Sequence, residues 1–145
     1  MRSVFCVAFL SLLLWGCAQP INPEVEAVKQ VINKAYVEGI HNNGSIDDIK
    51  AGFDPSFEML SNTNGELTRF AIADWIERIE SNRANNPDQK RERTDVKFLD
   101  IDITGGTASV KFELLRGEKT IFTDYMYLYK FDDGWRIVCK VYHRH

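Results

Sequence analysis

Ile121-Phe122-Thr123-Asp124-Tyr125-Met126-Tyr127-Leu128-Tyr129-Lys130-Phe131 is followed by the turn Asp132-Asp133-Gly134 and then by Trp135-Arg136-Ile137-Val138-Cys139-Lys140-Val141-Tyr142-His143. This stretch decides the fold. Aromatic and β-branched residues at a period of two, broken by an Asp-Gly turn, predict two long strands of an antiparallel hairpin. The first strand is apolar on both faces, with Phe122, Met126 and Leu128 against Tyr125, Tyr127 and Tyr129. A sheet with one covered face alternates apolar and polar residues, so a second buried surface is expected, with an identical subunit over it in a two-fold dimer. In the second strand, unbroken parity sets Trp135, Ile137, Cys139, Val141 and His143 on one face and Arg136, Val138, Lys140 and Tyr142 on the other.

Working outward, Gly117-Glu118 and Gly105-Gly106 are turns that separate two more strands. Ala108, Val110, Phe112 and Leu114 alternate with Ser109, Lys111 and Glu113, which marks a half-buried strand. Over 93–104, parity sets Leu99, Ile101 and Ile103 opposite Asp100 and Asp102, leaving these two carboxylates solvated. Upstream of this meander the period changes. Asn22 suits an N-cap and Pro23 the first helical position, and Val25, Val28, Ile32, Ala35, Tyr36 and Gly39 recur at three- and four-residue steps. They predict one amphipathic helix over 23–41, ended by Asn42-Asn43-Gly44. Ser45 and Asp48 resemble a capping box opening a short second helix with Ile46, Ile49 and Phe53 on its apolar side, stopped by Asp54-Pro55. A short hairpin over 56–70 turns at Asn64-Gly65, with Phe57 and Met59 on one face. A third helix within 71–85 buries Ile72, Trp75, Ile76 and Ile79. Helices and strands segregated in this way predict an α+β domain: three N-terminal helices packed on a strongly curved, mainly antiparallel sheet that forms a cone around the first helix.

Residues 1–16 read as a leader. Arg2 is a positive n-region, the apolar run Val4–Trp15 is about a dozen residues long, too short to span a bilayer, and a small residue precedes Cys17. Leu14-Trp15-Gly16-Cys17 resembles a bacterial lipobox, with bulky Trp15 a departure from it; the resemblance implies acylation of the Cys17 thiol. Cleavage after Ala18, giving a soluble exported protein, is the alternative. Several acyl chains on one residue would anchor the protein firmly, and resemblance to lipoprotein sorting in bacteria with two membranes, given Ala18 rather than Asp after the Cys, implies the outer membrane, with the domain facing the periplasm. The expected organisation is therefore a leader over 1–16, a tether over 17–22 and one domain over 23–145.

Beyond the leader 17 basic residues face 21 acidic ones. This excludes the basic footprint of a nucleic-acid binder, and Lys90-Arg91-Glu92-Arg93 reads as a solvated strand start. Cys139 is the one cysteine left to the domain, so no internal disulfide can form, and its neighbours Val138 and Val141 predict an inert core thiol.

The tail Asp124–Tyr129 with Gly134-Trp135-Arg136-Ile137-Val138, and the head Val25–Gly44 with Ala51-Gly52-Phe53, resemble the nuclear transport factor 2-like superfamily (the cystatin-like cone), in the branch labelled "putative lumazine-binding". The resemblance covers nearly all of 24–143 and implies the cone fold. That fold hosts enzymes, adaptors and plain binding proteins, so it leaves the function open. An isomerase of this kind needs a carboxylate base in an enclosed cone with a phenol or acid beside it. Asp100, Asp102 and Asp124 are the candidate carboxylates and Tyr36, Tyr125 and Tyr127 the phenols, but no spacing among them demands catalysis, and no catalytic residue is assigned. His143 and His145 share a strand face without a third ligand, and His41 ends a helix where a cation suits the dipole, so no metal or other cofactor is called for. Tyr36, Phe53, Met59, Trp75, Ile79, Phe112, Met126, Trp135 and His143 are the candidates to line an apolar cleft for a small apolar or aromatic ligand. Phe112 and Trp135 suit the core better; Phe53, Met59 and Trp75 suit a rim. The expected function is an exported, lipid-anchored binding module. The alternatives are an isomerase- or dehydratase-like enzyme and a dimeric interaction protein with a filled cone.

Overall fold

The computed structural model describes residues 22–145; the leader, Cys17 and most of the tether lie outside the described residues. Helix α1 (Pro23–Val31) runs on as a wider, π-type helical segment over Ile32–His41, followed by α2 (Ile46–Gly52). Strands β1 (Phe53–Thr63) and β2 (Glu66–Ala71) form a hairpin, α3 (Ile72–Asn85) crosses over, and β3 (Asp95–Thr104), β4 (Thr107–Arg116), β5 (Lys119–Phe131) and β6 (Gly134–Arg144) form the meander. The sheet order is β2-β1-β6-β5-β4-β3; the β1–β6 pair is parallel and the others are antiparallel. The α+β cone expected from the sequence is thus the architecture found. Among the described residues no helix is long and apolar enough to cross a membrane.

Local chemistry explains the element ends. The Asn22 side chain accepts from the Glu24 amide at 3.0 Å, and Ser45 accepts from Asp47 at 3.1 Å. The second half of the capping box is not made, because Asp48 pairs with Lys34 at 2.9 Å instead. Asn43, at φ 63°, turns the chain out of the long helix, and Asn64 and Gly65 (φ 55° and 90°) make the β1–β2 turn. Arg83 of α3 donates to the carbonyls of Gly39 and Gly44 at 3.0 and 2.8 Å, covering acceptors the long helix leaves open at its C-terminus. A single helix of ordinary pitch was expected over 23–41; the observed second half is wider. Ala35, Tyr36, Val37, Gly39 and Ile40 are all buried there, an arc broader than one stripe, enclosed between α2 and the sheet. The fit to α2 is tight: a Cβ on Gly52 would lie 2.3 Å from that of Ala35.

Three irregularities in the antiparallel meander curve the sheet, as bulges do, and a fourth lies between Phe53 and Glu58 where β1 meets β6. The register slips at Leu99 in β3, at Ile121 in β5 and at Val138 in β6. Each changes which residues face the helices, and two overturn the parity read from sequence. Leu99 does not share a face with Ile101 and Ile103; it is exposed in its bulge. Val138 is the extra residue between the pairs Leu128–Ile137 and Tyr127–Cys139. Trp135 and Ile137 therefore point inward as expected, but beyond the bulge Lys140 and Tyr142 replace Cys139, Val141 and His143 on the inner face. Cys139 is half-buried rather than a core thiol, and His143 is exposed on the convex side. The convex face of β5 carries Tyr125, Tyr127 and Tyr129, which together with Val141 of β6 are 38–52% exposed.

Candidate functional site

The concave side of β5 carries Asp124 in phase with Phe122, Met126 and Leu128, fully buried. Tyr142 of β6 is its cross-strand partner, and Lys140 stands two residues before Tyr142. The wide helical segment sets Tyr36 over them. The Tyr36 hydroxyl donates to Asp124 Oδ2 at 2.7 Å. Lys140 Nζ lies 3.1 Å from Asp124 Oδ1, an ion-pair contact too oblique to align a hydrogen bond, so Oδ1 has a charge beside it but no directed donor. Lys140 is 3% exposed. Its Nζ sits among four rings, 4.4 Å from the centre of Tyr142, 5.0 Å from Tyr36 and 5.8 Å from Trp75 and Phe122, with Met59 Sδ at 4.0 Å.

Burial sets the protonation of this cluster. Removal from water raises the Asp124 pKa, with Lys140 and the Tyr36 hydrogen bond pulling it back; the same cause lowers the Lys140 pKa against the pull of Asp124. The two groups are drawn toward each other, which eases proton exchange between them. Burial and the neighbouring carboxylate hold the Tyr36 phenol well above its usual range, so it stays a donor. His41 packs edge-on against Tyr36 at 4.7 Å. Burial, then the charges of Lys140, Arg116 and Arg91, lower its pKa to about 3. It is thus a neutral ring, not the helix-terminal cation expected from sequence, and its Nε2 is buried without a partner.

Tyr36, His41, Lys140 and Tyr142 edge a cavity of about 530 Å³, with Asp124 behind them, within the size range of small-molecule sites. The wall is aromatic and aliphatic on one side: Tyr36, Ile40, Met59, Phe70, Trp75, Ile79, Phe122 and Tyr142. Arg69, Arg78, Arg91, Arg144, Lys140 and His41 complete it with Ser61, Thr68 and Asn82, and no Asp or Glu is in the lining. Of the residues named from sequence, Tyr36, Met59, Trp75 and Ile79 border this cavity. Phe112 and Met126 are core, 0 and 1% exposed. Phe53 is buried at a separate groove beside Ile72 and Ile76, and Trp135 donates to Glu24 Oε2 at 2.7 Å beside another. His143 is turned away by the Val138 bulge. Asp100 and Asp102 are exposed, as their parity predicts, and Tyr125 and Tyr127 are on the convex face. Among the described residues no group of three or more His, Cys, Asp or Glu could hold a metal.

Nothing in the sequence singles out Lys140, Tyr142 or the four arginines as functional. For Asp124 a signal existed: it is the one polar residue in phase with an otherwise apolar inward run of β5.

The fold agrees with the comparisons. Residues 23–143 match the model of the "Putative lumazine-binding" family, and the chain belongs to that family. It is 32% identical to aldolase FrzH of Cladobotryum sp over 111 residues, 74% of this chain and 82% of that protein. A nuclear transport factor 2-like protein of unknown function from Shewanella baltica is similar at 25% identity and a TM-score of 0.66, over 84% of this chain and 94% of that one. One from Methylobacillus flagellatus gives 23% identity and a TM-score of 0.62, over 83% and 91%. These similarities establish the fold, and with the family they suggest a ligand-binding module.

The His41 environment predicts an acid-sensitive fold. The folded protein keeps this ring neutral down to pH about 3, whereas the unfolded chain takes up the proton near pH 6.5. Its contribution to stability is complete above pH 6.5 and is lost as pH falls toward 3, at up to about 1.4 kcal/mol per pH unit. Denaturant unfolding followed from pH 7 to 4 should show this fall, and His41→Phe should flatten it. Asp124 contributes with the opposite sign in both proteins, so it cancels in the difference; parallel curves would refute the assignment.

Proposed function

We propose that the protein is a small-molecule-binding module whose cavity takes an organic anion with a planar, apolar body. The observation that carries this reading is the segregation of charge. A chain of net charge −3 lines one aromatic cavity with four arginines and a lysine and gives it no carboxylate. Arg69 is paired with Glu58, whereas Arg78, Arg91 and Arg144 form no ion pair among the described residues. Arginine binds planar anions through paired donors, and the rings supply contact area for the rest of the ligand. The open volume speaks against a filled cone.

A second reading, acid–base chemistry on the bound molecule, is favoured by the Tyr36–Asp124 contact at 2.7 Å. This is the enclosed carboxylate–phenol pair that an isomerase or dehydratase of this fold would need, and the likeness to a protein named as an aldolase is consistent with it.

Binding is tested by calorimetry with aromatic carboxylates, 4-methylbenzoate among them, and their methyl esters. The acids should bind, weaken with salt, and lose about tenfold or more in affinity in Arg91→Ala or Arg144→Ala, the worth of one charge-assisted contact. Equal binding of acid and ester, or of neither, would overturn the reading.

Two further parts of the function concern assembly and location. The exposed Tyr125, Tyr127, Tyr129 and Val141 support a homodimer through the convex sheet face. Light scattering should give twice the chain mass, falling to the monomer in Tyr127→Lys; a monomeric wild type would end the proposal. The leader pattern supports export and acylation at Cys17, with the outer membrane as destination and a soluble periplasmic form as alternative. Cells fed an alkyne-tagged fatty acid should label the wild type and not Cys17→Ala; an unlabelled wild type would leave the soluble form.

A further inference from the structure

Stability alone does not call for a buried pair of Asp124 and Lys140. Burying an ammonium and a carboxylate together costs more than a well-packed apolar pair of the same volume in many proteins. The ordinary explanation, a structural ion pair, would have the three N–H donors of the lysine satisfied. Here its polar neighbours are one obliquely placed carboxylate oxygen at 3.1 Å and one thioether sulfur at 4.0 Å, while the side chain borders the open cavity. Three donors against two polar neighbours leave donor capacity on a side chain that lines the cavity.

We propose that Lys140 is an amine nucleophile, condensing through Nζ with the carbonyl group of a small molecule held in the cavity, and that Asp124 relays the protons of this step. The inference rests on the cavity being a ligand site as proposed above, and it names the substrate class: an anionic aldehyde or ketone.

The step balances within the site. Asp124 takes one proton from the Lys140 ammonium and leaves a free electron pair on Nζ. That pair forms the C–N bond as the carbonyl π pair moves to oxygen. The oxygen takes up two protons, the one on Asp124 and one from nitrogen, and departs as water when the C–O bond breaks and the nitrogen pair forms C=N. An ammonium and a carbonyl thus become a protonated imine and water, with no net proton or electron supplied. The charge stays on the same nitrogen, where Asp124 and the faces of Tyr142, Tyr36, Trp75 and Phe122 already accommodate a cation. Tyr36 holds Asp124 through Oδ2, leaving Oδ1 toward the lysine. Depression of the Lys140 pKa by burial makes the free amine more accessible.

The test uses the mature protein, 4-carboxybenzaldehyde as the carbonyl probe and cyanoborohydride, whose hydride reduces the imine to a stable secondary amine. Peptide mapping then compares Lys140 with exposed lysines such as Lys34 and Lys119. Labelling of Lys140 should be at least tenfold faster than at either, 4-methylbenzoate should suppress it at that site alone, and Asp124→Asn should slow it if the variant folds. In Lys140→Arg, which keeps the cation, the fast phase should vanish while the exposed sites label as before. If 4-methylbenzoate binds and Lys140 reacts no faster than the surface lysines, the imine is refuted and the binding reading stands. If 4-methylbenzoate neither binds nor protects, both are refuted.

Discussion

Asp124 and Lys140 meet at 3.1 Å in a position closed to solvent, and the arrangement around them depends on keeping both there. Removing either partner would leave an uncompensated charge in the core, a defect of about 3–5 kcal/mol. The long helix supplies the phenol that satisfies the second carboxylate oxygen, β5 supplies the carboxylate, and β6 the ammonium. The three elements that define the cone are therefore tied at one polar point. The surrounding core of Ile32, Phe53, Phe112, Leu128 and Ile137 is wholly apolar and needs no such tie for its stability. A buried charged cluster of this cost beside so apolar a core is where chemistry is to be sought.

The bulge at Val138 is what brings the lysine to that point. With an unbroken period of two, Lys140 and Tyr142 would stand on the convex face and His143 would face inward. One inserted residue exchanges the two sets for the remainder of the strand. Nothing in the local residues announces it: Val138 is β-branched, has no glycine beside it, and fits a regular strand. The parity of β5 was legible because its slip, at Ile121, comes before the informative residues begin. For the same reason Asp124 was readable as inward-facing from its phase with Phe122 and Met126, whereas Lys140 was not. Leu99 repeats the lesson in β3.

Helix starts are legible in the sequence where the cap is local, as at Asn22 and the Ser45 hydroxyl, and less so where packing decides. The widened turn over Ile32–His41 answers to α2 pressed against it, Ile49 on Gly39 and Gly52 on Ala35, and to the sheet beneath Tyr36. Widened helical turns are frequent at functional sites, and here the widened stretch carries both Tyr36 and His41 to the cavity. The cationic lining was illegible for a related reason. Arg69 comes from β2, Arg78 from α3, Arg91 from the loop before β3 and Arg144 from the end of β6, so only the closed cone assembles them.

That assembly bears on the lysine itself. Burial first, and then the charges of Lys140, Arg116 and Arg91, hold the His41 ring at a pKa of about 3, so a further positive charge beside the cavity is disfavoured. A single carboxylate is left to keep Lys140 protonated, and burial has already loosened its hold. An incoming anion would neutralise part of the arginine field while displacing water from the aromatic wall. The first effect favours the cationic form of Nζ and the second disfavours it. On the proposed reading, an anion in the cavity would set these two effects against each other at Nζ, with Asp124 as the acceptor in reach. A cone that only stored its ligand would have no need of that balance; one that exchanges a proton with its ligand would depend on it.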